Sequence, residues 1–97
     1  DLASWLEERP ELVVIDVREP FEWLEGHIEG ALHLPMREAV DRRSEIPPDR
    51  PMAVLCAGGL RSSTVISALK RQGIQGWYNV SGGMTAWLKA GYPVAKP

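Results

Sequence analysis

The sequence is poor in the residues that form disulfides and metal sites. Its 97 residues include one Cys and two His, so no intramolecular disulfide can form and the donors are too few for a convincing zinc site. The longest apolar runs, such as 12–15 and 52–56, are far shorter than the roughly 20 residues that span a bilayer. A net charge of −2 without a basic block gives no sign of nucleic-acid binding. We therefore expect no metal, cofactor, nucleic acid or membrane partner, and a reducing compartment, the cytoplasm.

The composition is that of one ordinary globular domain. Hydrophobic residues make up 44% of the chain and charged residues 25%, and this length leaves room for a single core. We expect residues 1–97 to form one domain. Because the chain begins at Asp1 without a Met, we also expect a processed product or a fragment of a longer protein.

Short apolar runs alternate with helical patterns along the chain. The runs that predict strands are 12–15, 31–34, 52–55 and 76–80. Apolar residues at helical spacing predict helices near 2–6, 20–25, 62–72 and 84–88, and the range 36–49 at most a short helix. This alternation predicts an α/β fold with a mostly parallel sheet.

The single cysteine follows one of these strands. In open parallel sheets, ligands bind outside the carboxyl ends of the strands, where two loops are expected, 16–19 and the loop after Leu55. In the second loop, Gly58 and Gly59 allow positive φ values, which aim successive N–H groups into an anion-binding concavity. A helix is expected to begin near Ser62, capped by one of the hydroxyls at 62–64. The pattern predicts a thiolate nucleophile.

The alternative interpretation is a buried structural cysteine, which is common for a free thiol. A helix dipole contributes roughly 0.3–2 kcal/mol, and one pKa unit is about 1.4 kcal/mol. The dipole alone could lower a thiol pKa from about 8.5 by about one unit. Backbone N–H donors, and Arg61 if it turns inward, would lower the pKa further. The glycine pair, Arg61 and the helix start favour the reactive interpretation.

Four segments together resemble the single-domain rhodanese family of sulfurtransferases. They are 14–19 (VIDVRE), 26–31 (GHIEGA), the loop from Cys56 to Ser62, and 79–87 (NVSGGMTAW). The resemblance covers nearly the whole chain and implies about four to five strands flanked by helices on both faces. The strand that usually precedes the first helix of the family is expected to be missing, in keeping with a fragment.

The resemblance also implies a reaction. Cys56 would take a sulfane sulfur from thiosulfate or a low-molecular-weight persulfide and pass it to cyanide or a thiol, through a covalent persulfide. The loop N–H groups would cradle the outer sulfur; the residues concerned are Ala57, Gly58, Gly59, Leu60, Arg61 and Ser62. No general base is required.

Charged residues near the loop have two interpretations each. Asp16 and Arg18 are expected to form an ion pair that supports the site. Arg61 is expected to steer anionic donors, or to hold the loop through carbonyl groups, and Arg18 is a second candidate for attracting anions. His27 is expected to bond to backbone, and the glycine pair 82–83 to permit close packing near the site.

Two other functions stay open. Cysteine phosphatases and arsenate reductases use a thiolate in a similar loop, but their pattern has five residues between Cys and Arg. Only four residues separate Cys56 from Arg61, and a shorter loop suits one sulfur better than a phosphate. Rhodanese modules also serve as binding or regulatory domains, so a fused or partner enzyme of persulfide metabolism is the second alternative.

Overall fold

The computed structural model describes residues 2–47 and 49–96. A four-stranded sheet has the order β2-β1-β3-β4, and all its pairs are parallel. The strands are β1 (Val13–Asp16), β2 (Leu32–His33), β3 (Met52–Leu55) and β4 (Trp77–Asn79). The α-helices are α1 (Leu2–Glu8), α2 (Pro20–Glu25), α3 (Leu60–Arg71) and α4 (Gly83–Lys89), and Arg43–Glu45 form a 3-10 helix.

Both faces of the sheet are covered, which explains why its central strands are apolar except for Asp16 at the end of β1. All four residues of β1 and of β3 are buried. Alternate side chains of each strand enter two separate clusters, one packed under α3 and the segment 34–46, the other under α1 and α4. Because successive side chains of a strand point to opposite faces, continuous apolar runs are needed. The predicted α/β fold, with helices on both faces, is confirmed.

The start of α3 differs from prediction. Helix α3 begins at Leu60, two residues before Ser62, because Gly59 takes the left-handed conformation that lets the chain enter the helix earlier. Residues 36–49 were expected to form at most a short helix. In keeping with this, residues 36–47 and 49 contain turns and the three-residue 3-10 helix at Arg43–Glu45, and Ile46 with Ala39 anchors this segment in the core.

The sheet brings the two predicted loops together. Asp16, at the end of β1, is paired in register with Leu55, at the end of β3. One residue further on, the Val17 N–H donates to the Leu55 carbonyl at 2.9 Å. The segments starting at Asp16 and at Cys56 therefore leave the same edge of the sheet side by side. In the described part of the chain, none of the helices has the length and apolar character needed to cross a membrane.

Candidate active site

The cysteine lies at the base of a tight loop. Cys56 follows β3 and is only 1% exposed. The Gly59 N–H donates to its Sγ at 2.9 Å, and the Ser62 Oγ lies 3.4 Å from the same sulfur. The sulfur thus has neutral hydrogen-bonding groups on the loop side and the core behind it. This geometry places Cys56 and Ser62, two predicted site residues, in direct contact.

The loop turns through one glycine, not two. Gly59 has φ 106° and is the N-cap of α3, whereas Gly58 is outside the set of positive-φ glycines, so the expectation for Gly58 is wrong. Serine capping is also wrong, since no side chain caps the helix. The Ser63 hydroxyl instead donates back to the Gly59 carbonyl at 3.1 Å, and the Ser62 Oγ lies 3.1 Å from the same carbonyl oxygen. Those hydroxyls lie inside the first turn, where such back-bonding is available.

The thiol pKa reflects two opposing influences. Burial is the largest single one and raises the pKa of the Cys56 thiol. Hydrogen bonds from the Ser62 hydroxyl and from backbone N–H groups at 58, 59 and 62 lower it, and together they prevail. The pKa is therefore lowered from its ordinary value, because donors stabilise the charged form more than burial penalises it. The predicted direction is confirmed.

Helix α4 holds the first residues of the loop from behind. The Met84 N–H donates to the Cys56 carbonyl at 2.8 Å, and the Thr85 N–H to the Ala57 carbonyl at 3.0 Å. This approach requires Gly83, where an added Cβ would collide with the Cys56 carbonyl oxygen and lie 2.7 Å from that of Ala57. The predicted close packing is present. With its carbonyls directed to α4, the loop is free to turn N–H groups toward the sulfur.

Asp16 and Arg18 form the expected ion pair. The Arg18 Nη2 lies 2.8 Å from the Asp16 Oδ2, and its Nε lies 3.0 Å from Oδ1. Asp16 is fully buried, Arg18 is 6% exposed, and Nη2 also donates to the Gly26 carbonyl at 2.8 Å. Because the Arg18 guanidinium is buried and bonded to these groups, it cannot attract anionic sulfur donors. The prediction that Arg18 attracts anions is wrong. The pair joins the end of β1 to the end of α2.

Arg61 has a partner that the sequence did not reveal. Its Nη1 and Nη2 lie 2.6 and 3.0 Å from the two carboxylate oxygens of Glu22 in α2. The hydrogen bond from Arg61 lowers the pKa of Glu22 to about 2, against burial, which raises it. Arg61 therefore holds the loop to α2 through a carboxylate, neither through carbonyl groups nor as a free guanidinium. The only sequence signal for Glu22 is its capping-box position after Glu19 and Pro20.

Asn79, at the end of β4, is a second residue that sequence reasoning missed. Its Oδ1 accepts a hydrogen bond from the Ser62 Oγ at 2.5 Å. Its Nδ2 donates to the Ser63 Oγ at 2.7 Å and to the Gly59 carbonyl at 3.2 Å. The only signal was its place next to the glycine pair in the segment 79–83. The amide ties the third strand end to the cysteine loop.

The two histidines are bonded to backbone. The His27 Nδ1 lies 3.0 Å from the Trp23 carbonyl, as expected, and the His33 Nε2 lies 2.9 Å from the Arg18 carbonyl. Both rings stack on the Trp23 indole, with centroid separations of 3.6 and 4.6 Å. Among residues 2–47 and 49–96, there is no group of three or more His, Cys, Asp or Glu that could hold a metal.

The fold and site define a class of protein, an α/β domain with a cysteine in a backbone-lined loop after a central strand. Comparison with known proteins gives the family. The rhodanese-like domain model matches residues 1–90. A protein named sulfurtransferase from Allochromatium vinosum is 36% identical over 96 residues, covering 99% of this chain and 90% of that protein. The chain belongs to the rhodanese-like domain family.

Other relatives extend the comparison. The probable adenylyltransferase/sulfurtransferase MoeZ of Mycobacterium tuberculosis is 34% identical over 96% of this chain, which spans only 24% of that relative. A rhodanese-related protein from Thermoplasma volcanium has a TM-score of 0.87 at 34% identity, covering 98% of this chain and 94% of that one. A rhodanese-like domain protein from Staphylococcus aureus also has a TM-score of 0.87, at 32% identity, with coverage of 99% and 91%.

Proposed function

We propose that the protein is a sulfurtransferase that carries a sulfane sulfur on Cys56. The observation that supports this most is the Gly59 N–H 2.9 Å from the Cys56 Sγ, in a loop whose other donors also lower the thiol pKa. Neutral donors of this kind stabilise a thiolate, and they would stabilise the negative outer sulfur of a persulfide in the same way. The loop residues Ala57 to Ser62 form the cradle.

The reaction would proceed as a double displacement. The Cys56 thiol first loses its proton to solvent. The thiolate attacks the outer sulfur of thiosulfate, a new S–S bond forms, the donor's S–S bond breaks, and sulfite leaves with the electron pair. An acceptor such as cyanide or a thiolate then attacks the outer sulfur and releases the Cys56 thiolate. Neither displacement needs a general base, in accord with two histidines that are bonded to backbone.

Phosphate chemistry is less well supported. Four residues separate Cys56 from Arg61, and the Arg61 guanidinium is bound through two nitrogens to Glu22. A phosphatase loop uses such an arginine to bind the phosphate, whereas a carboxylate in that place would repel it. A sulfur atom that is held by N–H groups does not need the arginine.

The partners would be a small sulfur donor, thiosulfate or a low-molecular-weight persulfide, and a thiol or cyanide acceptor. This chain spans only 24% of the MoeZ relative, which favours a second possibility, that the domain transfers sulfur to a fused or partner enzyme. We place the protein in the cytoplasm, because a reducing compartment keeps a lone thiol in its free form.

Intact mass spectrometry tests the proposal. After incubation with thiosulfate or glutathione persulfide, the wild-type protein should gain the mass of one sulfur atom, and cyanide should remove it. Cys56→Ser should gain none under the same conditions. A wild-type protein that never gains sulfur from either donor would refute sulfur transfer through Cys56. Cys56-dependent hydrolysis of an aryl phosphate would support the phosphatase alternative instead.

A further inference from the structure

The Ser62 hydroxyl has more acceptors than protons. Its Oγ lies 2.5 Å from the Asn79 Oδ1, 3.1 Å from the Gly59 carbonyl and 3.4 Å from the Cys56 Sγ. A hydroxyl carries a single proton, so it serves only one of these three groups well. Which one receives the proton decides whether Ser62 acts as a donor or an acceptor toward the sulfur.

The orientation of the Asn79 amide is determined by its surroundings. The Ser63 hydroxyl gives its own proton to the Gly59 carbonyl, so the Ser63 Oγ and the Gly59 carbonyl are both acceptors facing one side of the amide. That side must carry the two protons of Nδ2, which lies 2.7 and 3.2 Å from them. The Oδ1 atom is left facing Ser62. An amide oxygen can only accept, so Ser62 must donate to it.

We propose that Asn79 is a positioning residue that competes with Cys56 for the single proton of the Ser62 hydroxyl. In the resting thiol, the proton goes to Asn79, the nearest acceptor, and the S–H group of Cys56 donates to the Ser62 Oγ. When the thiol proton leaves to solvent, the hydroxyl rotates to the thiolate and Asn79 loses its donor. The S–H bond of Cys56 is the one covalent bond that breaks, its proton goes to solvent and its electron pair stays on the sulfur; all other changes are in hydrogen bonds. The inference rests on the proposed role of Cys56 as nucleophile.

The consequence is that Asn79 restrains thiolate formation. Stabilising the thiolate through Ser62 means giving up the 2.5 Å contact with Asn79, and that loss opposes ionisation. The charged groups around the loop keep their partners in the thiol and the thiolate states. Arg61 on α3 is paired with Glu22 on α2, and Arg18 is paired with Asp16 at the end of β1. The proton of Ser62 is therefore the part of the network that changes.

The test measures the Cys56 pKa from the pH dependence of iodoacetamide alkylation. Asn79→Ala frees the Ser62 proton for the thiolate, so the Cys56 pKa should fall by up to about one unit, a reactivity gain of up to about tenfold below the pKa. If Asn79 only held the loop in place, Asn79→Ala would loosen the loop and raise the Cys56 pKa. Thr64→Ala, whose hydroxyl bonds only to the Leu60 carbonyl in the same turn, is the matched control and should leave the pKa in place.

A double-mutant cycle shows whether Asn79 acts through Ser62. In a Ser62→Ala background the proton is gone, so Asn79→Ala should no longer shift the pKa. A raised or unchanged pKa in the single variant, or an equal shift in both backgrounds, would overturn the proposal. If the variants do not fold, the infrared S–H band of wild type, assigned with Cys56→Ser, decides instead: it should lie below the free-thiol frequency of the unfolded protein. These readouts do not require sulfur transfer, so the two proposals fail separately.

Discussion

The pair between Glu22 and Arg61 makes a testable contribution to stability. The pKa of Glu22 is lowered from 4.5 to about 2, chiefly by the hydrogen bond from Arg61. A shift of that size corresponds to about 3 kcal/mol of folding free energy. The side chains of Arg61 and Glu22 are 29% and 19% exposed, so screening by solvent should reduce the contribution to about 1–2 kcal/mol. Glu22→Gln should lose this amount at neutral pH.

The pH dependence gives the prediction its sign. Since the pKa of this carboxyl is lowered in the folded state, its contribution is fully present above about pH 4.5 and is lost as the pH falls toward 2. Urea denaturation at about pH 7 should therefore separate wild type from Glu22→Gln by about 1–2 kcal/mol, and at about pH 3 more than half of the difference should disappear. Glu25→Gln, on the exposed side of the same helix, is the control and should resemble wild type at both values.

The same variant measures how far Arg61 is neutralised. Removing the carboxylate leaves one more positive charge beside the loop. The rate ratio of iodoacetate to iodoacetamide at Cys56 should then rise by about two- to threefold, the effect of one unit charge several ångström away in water. A stability difference that is equal at both pH values, together with an unchanged rate ratio, would refute the assigned role of the ion pair.

Two further predictions concern the frame of the loop. Gly83→Ala should cost about 2–4 kcal/mol, because its Cβ would meet the Cys56 and Ala57 carbonyls. The control Gly91→Ala is also at positive φ but has open space around it, and it should cost about 1 kcal/mol. Equal losses of stability for the two variants in urea denaturation would contradict the close approach of α4. Asp16→Asn should cost about 3–5 kcal/mol by leaving the Arg18 guanidinium buried without its charge partner. The control is Glu38→Gln, which removes an exposed ion pair with Arg42 and should barely move the midpoint of urea denaturation. If Asp16→Asn and Glu38→Gln had similar effects, burial of the Asp16–Arg18 pair would be unimportant.

The parts of the fold that depend on burial were predictable from the sequence. Strands β1 and β3 are buried on both faces, so their apolar runs are continuous and stand out. The position of Cys56 at the carboxyl end of β3 follows from that assignment. Helix α2 has no buried residue, and its prediction depended on Pro20 at the first turn and Gly26 at the end. Local sequence patterns are therefore sufficient to predict an element when its residues favour a single structural role.

The partners of polar groups were not predictable in the same way. Arg61 meets Glu22 across 39 positions of sequence, and Ser62 meets Asn79 across 17. A guanidinium accepts any carboxylate within reach, so the chain alone does not say which of its 13 acidic residues will be chosen. The start of α3 was misplaced for a related reason. Serine hydroxyls serve equally as caps or as donors to the preceding turn, and only the left-handed Gly59 decides between them.

Under the proposed function, the arrangement would activate a thiol that has no histidine partner. Both arginines near the loop are bound to carboxylates, and the N-terminus of α4 is bound to the Cys56 and Ala57 carbonyls. The strong charges thus hold the frame, and the groups that face the sulfur are neutral N–H and O–H dipoles. The backbone N–H dipoles are already oriented before the charge forms, and only the Ser62 O–H has to turn toward the thiolate. In the proposed reaction these dipoles need not move again when the charge passes from the thiolate to the outer sulfur of a persulfide. An ionised arginine beside the sulfur would bind the departing anion as well as the entering one, whereas in the proposed reaction a neutral cradle would let sulfite leave.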